Sequence, residues 1–267
     1  MRFKVLGPLT MMPGRLPSAP KQRQLLALLL LHANTVVTID DCVDELWGEQ
    51  PPHSAHSTLQ TYVMNLRRVL RLEAEPPGGG RIVTRERGYA LHLEPGELDL
   101  EDFQRVAGDG SEALAAGRHP EAARLLRAAL EMWRGPALVD VQAGPILRGR
   151  LDGLREVHLA VQEERVEADL RIGRHRELLG ELRTLVRRHP THENLCAQLA
   201  LALYRSGRTT EALAVLRHLR TTLGERFGLE PSRRLQRLER AVLRAEPALD
   251  LPAASSADRS VHHLLVN

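Results

Sequence analysis

Two short strands, three helices and a basic hairpin in the first 95 residues, followed by three registered copies of a glycine–arginine–glutamate pattern, predict a mainly α-helical chain. The first part has the element order of a winged helix-turn-helix, an α+β unit. The second reads as an all-α, tetratricopeptide-like helical-repeat domain. Turn-rich Glu94-Pro95-Gly96-Glu97 separates them, placing domains at 1–95 and 97–246. From Pro247 the chain turns to Ala, Ser, Pro and Asp, so 247–267 is expected to be a disordered tail.

The elements follow from local chemistry. Phe3 to Val5 and Leu9 to Met12 read as strands broken by Gly7-Pro8 and Pro13-Gly14. A helix is expected from about Pro20 to Ala33, with Ser18 as cap and proline suited to the first turn. Its run Leu25–Leu31 predicts burial on more than one side. Asp40 or Asp41 opens a second helix ending near Trp47-Gly48, and Glu49-Gln50-Pro51-Pro52 makes a stiff loop. A third helix is expected from about Ser54 to Arg71. Arg81 to Thr84 and Tyr89 to Leu93 then form a hairpin turning at Arg87-Gly88.

The third helix is the most informative. At about 100° per residue, Ala55, Leu59, Tyr62, Val63, Leu66, Val69 and Leu70 share one face and form core. The opposite face carries Ser54, Ser57, Gln60, Thr61, Met64, Arg68 and Arg71, with Asn65 and Arg67 at its edges. None is acidic. Hydroxyls and amides early and arginines late suit a helix lying in a DNA major groove, where polar groups reach base edges and guanidinium groups neutralise phosphates. A solvated face that happens to lack acids is the competing reading. The hairpin with Arg81, Arg85 and Arg87 favours DNA, and Lys21 joins the expected DNA-contacting set.

In the second part, Gly117-Arg118…Glu121, Gly173-Arg174…Glu177 and Gly207-Arg208…Glu211 align. Leu126, Leu182 and Leu216 follow each glycine at equal spacing, and Leu114, Leu170 and Tyr204 precede it. Glycine suits the tight turn between paired helices. Such repeats stack into binding surfaces and rarely perform chemistry.

Composition narrows the function. Charged residues are 27% of the chain and aromatics 3%, with a net charge of +3. That balance conceals polarity: residues 1–39 hold Arg2, Lys4, Arg15, Lys21 and Arg23 with no acid, whereas Asp40, Asp41, Asp44, Glu45 and Glu49 cluster in the next ten without a base. Lys4 and Lys21 are the only lysines, and neither lies in a phosphate-binding Gly-x-x-x-x-Gly-Lys-Ser/Thr loop. No His-Glu-x-x-His or Gly-x-Ser-x-Gly occurs. No catalytic set, metal site or cofactor is therefore expected. His53 and His56 read as surface or phosphate-facing groups, Cys42 and Cys196 as small core residues, and Trp47 and Trp133 as packing anchors. Without a signal peptide or membrane-length apolar run, the chain is expected to be cytoplasmic.

Assembled, these residues resemble the streptomycete antibiotic regulatory protein family over about residues 1–246. The resemblance is carried by Phe3-Lys4-Val5-Leu6-Gly7-Pro8-Leu9, Pro20–Leu30, Leu46-Trp47-Gly48-Glu49-Gln50-Pro51-Pro52, Leu59-Gln60-Thr61-Tyr62-Val63, Leu66-Arg67-Arg68-Val69-Leu70 and Gly88-Tyr89-Ala90-Leu91. Glu97-Leu98-Asp99-Leu100 and Trp133-Arg134-Gly135-Pro136-Ala137-Leu138 resemble the family's bacterial transcriptional activation domain. The resemblance implies a winged helix of the OmpR/PhoB type, the output domain of two-component phosphorelays, in a short-form activator of antibiotic biosynthesis. It further implies binding to direct repeats near promoters as a head-to-tail dimer, and recruitment of RNA polymerase holoenzyme. Glu49 and Gln50 are the expected polymerase contacts; alternatively the nearby acids only solubilise the second helix and cap its start. The alternative function is a helical-repeat interaction scaffold without specific DNA binding.

Overall fold

Phe3 is fully buried between the charged Arg2 and Lys4, the period-2 pattern of a half-buried strand. In the computed structural model, which describes residues 2–73 and 81–250, β1 (Arg2–Lys4) pairs antiparallel with β2 (Thr10–Met12). The side chain of Arg71 and residues 251–267 lie outside the described residues; of the expected 247–267 tail, Pro247–Leu249 form a short 3-10 helix. Gly7 sits at φ +147°, a region that side chains avoid, and an added Cβ would lie 3.0 Å from that of Arg134. The turn it makes is fastened by backbone: Arg134 N donates to Leu6 O at 2.8 Å, and Leu138 N to Gly7 O at 2.7 Å. Buried Asp99 accepts from the amides of Val5 and Leu6 at 2.7 and 3.3 Å. The two motifs at opposite ends of residues 3–138 are thus two sides of one junction.

Helix α1 (Pro20–Leu31) buries every residue from Gln24 to Leu31. Its cap is Ala19, with no side-chain bond, so Ser18 does not serve as expected. A three-residue strand, β3 (Val36–Thr38), adds to the expected elements, being too short to show alternation in sequence. Helix α2 (Ile39–Trp47) starts from a capping box in which Asp41 N donates to Thr38 Oγ1 at 3.0 Å and Thr38 N to Asp41 Oδ2 at 3.3 Å. Helix α3 spans Ala55–Glu73, and β4 (Ile82–Arg85) and β5 (Gly88–Leu91) form the hairpin. The antiparallel sheet runs β3-β5-β4. At Gly88 a Cβ would lie 1.9 Å from Val37 O, so only glycine lets β3 approach.

The described residues that follow hold seven α-helices: α4 (Asp99–Ala115), α5 (His119–Leu130), α6 (Pro145–Arg171), α7 (Leu179–Arg188), α8 (Glu193–Arg205), α9 (Thr209–Phe227) and α10 (Arg233–Arg244). Packing divides the chain into Met1–Glu112 with Arg124–Gln162, and Ala113–Ala123 with Glu163–Asn267. The first unit is therefore larger than the segment the composition change marks off, because Glu97 is not in a free linker. Phe3 N donates to Glu97 O at 2.7 Å and Leu98 bridges to Phe3. In the second unit an aliphatic core joins α7 through α10, with Leu182, Ala212 and Leu219 fully buried.

The three repeat glycines share one backbone solution. Gly117, Gly173 and Gly207 lie at φ 74°, 90° and 76°. Each donates to the carbonyl three residues back, while Arg118, Arg174 and Arg208 donate to Ala113, Asp169 and Leu203 O at 2.9 Å. This paired bonding closes a helix end on a left-handed residue. The second copy departs afterwards: α5 and α9 start two residues past their glycines, whereas residues 175–178 form turns before α7. Arg118 and Arg208 pair with Glu121 and Glu211, but Arg174 turns to Asp169. Among the described residues no helix is long and apolar enough to cross a membrane.

Candidate nucleic-acid interface

The apolar face of α3 docks as its periodicity predicts, with Ala55, Leu59, Val63, Leu66 and Leu70 buried. Trp47, closing α2, stacks on Tyr62 with ring centroids 6.3 Å apart. These contacts set the rotation of α3 and turn Ser57, Gln60, Thr61, Met64 and Arg68 to solvent, Met64 at 54% exposure. Ser57 and Thr61 donate their hydroxyls to Ser54 O and Ser57 O, both at 3.0 Å, which leaves their oxygens facing outward as acceptors. Gln60 supplies both an acceptor and donors. Asn65 is half-buried.

Three predicted DNA contacts have structural partners instead. Arg67 reaches from α3 to the hairpin, donating from Nε to Ile82 O at 3.0 Å and from a guanidinium nitrogen to Thr84 Oγ1 at 2.8 Å. It ties the hairpin beside α3. Arg81, 10% exposed, is bidentate to Glu97 at 2.6 and 2.9 Å. Burial raises the Glu97 carboxyl, but the Arg81 bonds and the Glu94 amide outweigh it and hold it at about 2. Lys21 donates to Leu46 O at the end of α2 and to Gln24 Oε1 at 3.3 Å. Gln24 is a helical neighbour of Lys21, but nothing in sequence spacing marks the pairs with Leu46, Ile82, Thr84 and Glu97, which lie 15 to 25 residues away. Arg85 and Arg87 stay exposed at the hairpin tip, with exposed Glu86 between them.

A further arginine stands outside the set expected from sequence. Arg15, in the β2–α1 loop, lines with Gly14, Ser18, Gln22, Asn65 and Arg68 an open groove of about 760 Å³. Ser18, free of the capping role, joins that wall. The signal for it in the sequence is the acid-free stretch of residues 1–39. The groove places two guanidinium groups and two side-chain amides along one edge of α3, a donor set suited to phosphate oxygens.

The acidic segment after β3 splits three ways. Asp41 caps its own helix. Glu45, 1% exposed, accepts from the amides of Gly144, Ile146 and Leu147 at 2.6, 3.0 and 2.9 Å, capping the start of α6, and from Gln24 Nε2 at 2.9 Å. It is therefore not available to a partner, although it sits among acids that read as surface. Asp40, Asp44, Glu49 and Gln50 are exposed. Cys42 beneath them is pushed up to about 12 by burial and by Asp41 and Glu45, and stays a thiol. His53 and His56 are exposed at the start of α3, and among the described residues no group of three potential ligands forms a metal site.

Residues 98–243 match the family model of the bacterial transcriptional activator domain, and residues 14–91 that of the C-terminal domain of transcriptional regulatory proteins. The chain is 46% identical to the regulatory protein DnrI of Streptomyces peucetius, over 96% of this chain and 98% of that one. It is 38% identical to the regulatory protein AfsR of Streptomyces griseus, over 96% of this chain but only 26% of AfsR. Among solved structures it resembles EmbR of Mycobacterium tuberculosis, determined with a low-affinity phosphopeptide, at a TM-score of 0.86 and 34% identity; the match covers 92% of this chain and 65% of that one.

Proposed function

Because the chain belongs to the streptomycete antibiotic regulatory protein family of DNA-binding transcriptional activators, we propose that α3 reads a direct-repeat operator of a secondary-metabolite gene cluster. The observation that carries this reading is the acid-free exposed face of Ser57, Gln60, Thr61, Met64 and Arg68, fixed in rotation by Trp47 and flanked by a hairpin that Arg67 holds in place. Gln60 and Thr61 meet base edges. Arg68 and Arg15 neutralise phosphates from the groove they share, and Arg85 with Arg87 serves the adjacent backbone. Lys21, Arg67 and Arg81 position the surface without touching DNA.

Two copies bind head to tail in the cytoplasm, since direct repeats present the same surface twice in one direction. Activation follows when exposed Glu49 and Gln50, on the loop held between Gly48 and Pro51-Pro52, meet RNA polymerase holoenzyme. The prolines restrict the loop before docking and reduce the entropy lost there. A gel-shift titration against DNA upstream of the neighbouring biosynthetic genes tests the reading. It should find a duplex bound much more tightly than scrambled competitor. Equal affinity for all sequences would reject base reading by α3.

A further inference from the structure

A second basic face, unused by the winged helix, lies on α10. Leu235 and Val242 are buried, so this helix has a defined inner side. At about 100° per residue, Arg233, Arg237, Arg240 and Arg244 fall within an arc of roughly 60° on the opposite side. All four are exposed. A rise of about 1.5 Å per residue spaces them in steps of roughly 4.5–6 Å along a row of about 16 Å. Exposed Arg234 flanks the row.

This row lacks the compensation found elsewhere in the same unit. Arg183 and Arg208 share Glu211, and Arg220 pairs with Glu239. Among the described residues no carboxylate pairs with Arg233, Arg234, Arg237, Arg240 or Arg244; Arg240 Nε donates to Gln236 O at 3.3 Å. The first turn of α10 has no acid and starts with two arginines, where the helix dipole disfavours cations. Like charges three and four residues apart also repel along the row. The helix thus carries uncompensated repulsion that a bound polyanion removes.

We infer that this face of α10 binds the phosphate backbone of duplex DNA, independently of sequence. The row itself contains no apolar side chain of the kind that anchors a protein interface. A continuous row of positive charge about 16 Å long suits a phosphodiester strand, which carries negative charge along its whole length. Guanidinium groups also grip phosphate through two parallel bonds. The inference rests on the chain being a DNA-binding protein, but not on which residues of α3 read bases.

The test measures affinity of the full chain for a labelled duplex of scrambled sequence across a salt series. The set Arg233→Ala, Arg237→Ala, Arg240→Ala and Arg244→Ala should lower the salt slope by about 0.9 for each phosphate no longer neutralised, up to about 3.6 in all. Operator affinity should fall by the same factor, leaving specificity unchanged. The corresponding four lysine replacements should restore most of the slope. If the alanine set does not fold, Arg237→Gln and Arg240→Gln singly read the same quantity, about 0.9 each. An unchanged slope overturns the inference. So does an unchanged slope with loss of self-association in sedimentation, which would give the face, with Leu243 at its side, to a second copy. An unchanged slope with loss of transcription would give it to the polymerase. Failure of operator preference with the slope effect intact would instead reject the reading of α3.

Discussion

Arginines of nearly identical sequence context perform different work in this protein. Arg67 and Arg68 are neighbours on α3, yet Arg67 bridges to β4 and Arg68 lines an open groove. Replacing Arg68 and Arg87 together by alanine should reduce the salt slope of DNA binding by about 2 without changing the thermal midpoint. Gln60→Ala should cost about 1–3 kcal/mol, concentrated at one base pair in a competition series. Arg67→Ala should instead lower stability. Glu97 makes a different prediction. Its folded value of about 2 lies below the ordinary 4.5, so its contribution is fully present above about pH 4.5 and is lost as pH falls towards 2. Glu97→Gln should flatten that part of the acid-stability curve in denaturant titrations. Asp99, raised because burial outweighs its amide and Arg134 contacts, acts in the opposite sense and remains in both proteins.

At the scale of elements, helix ends decide more than helix interiors. Glu45 leaves its own helix to cap α6, satisfying three amides that would otherwise be buried without partners. Glu45→Ala should destabilise by roughly 3 kcal/mol in urea melts, although the residue sits among acids that look like surface. Gly144 allows this approach, since a Cβ there would lie 2.1 Å from Glu45 O. The repeat turns give a graded expectation. Gly207 has open space for a Cβ but a φ of +76°, so Gly207→Ala should cost about 1–2 kcal/mol through backbone strain alone. Gly207→Asn should cost less, because asparagine tolerates the left-handed region. Equal losses for both would point to crowding rather than to the dihedral.

For the whole molecule, the proposed direct-repeat binding and the proposed activating contact should be separable. Two copies on one face of the duplex should recognise repeats centred roughly 10–10.5 base pairs, or a multiple, apart. Inserting half a helical turn should abolish cooperativity in a footprinting titration; retention would mean independent sites. Glu49→Ala with Gln50→Ala should leave operator affinity intact and reduce transcription in a purified system, because both side chains are exposed outside the α3 surface. Normal transcription would move the activating contact to the helical repeats.

The sequence by itself determined the order of the winged-helix elements other than β3, the buried face of α3 and the left-handed glycines of the repeats. Each is a local property: a period of 2 or 3.6, a proline at a helix start, or a turn that a side chain disfavours. Exposure of Gln60, Thr61 and Arg68 was legible for the same reason, since one helical period defines both faces. Only the tertiary structure decided which charges remain free. Lys21, Glu45, Arg67 and Arg81 all read as surface groups, yet each is held by an element between 15 and 102 residues away in at least one bond. β3 is illegible in sequence because three residues cannot show a period. A charged side chain's role depends on whether a partner of opposite charge, or an unpaired helix end, comes within hydrogen-bond distance. Chain folding sets that distance, and residue type does not.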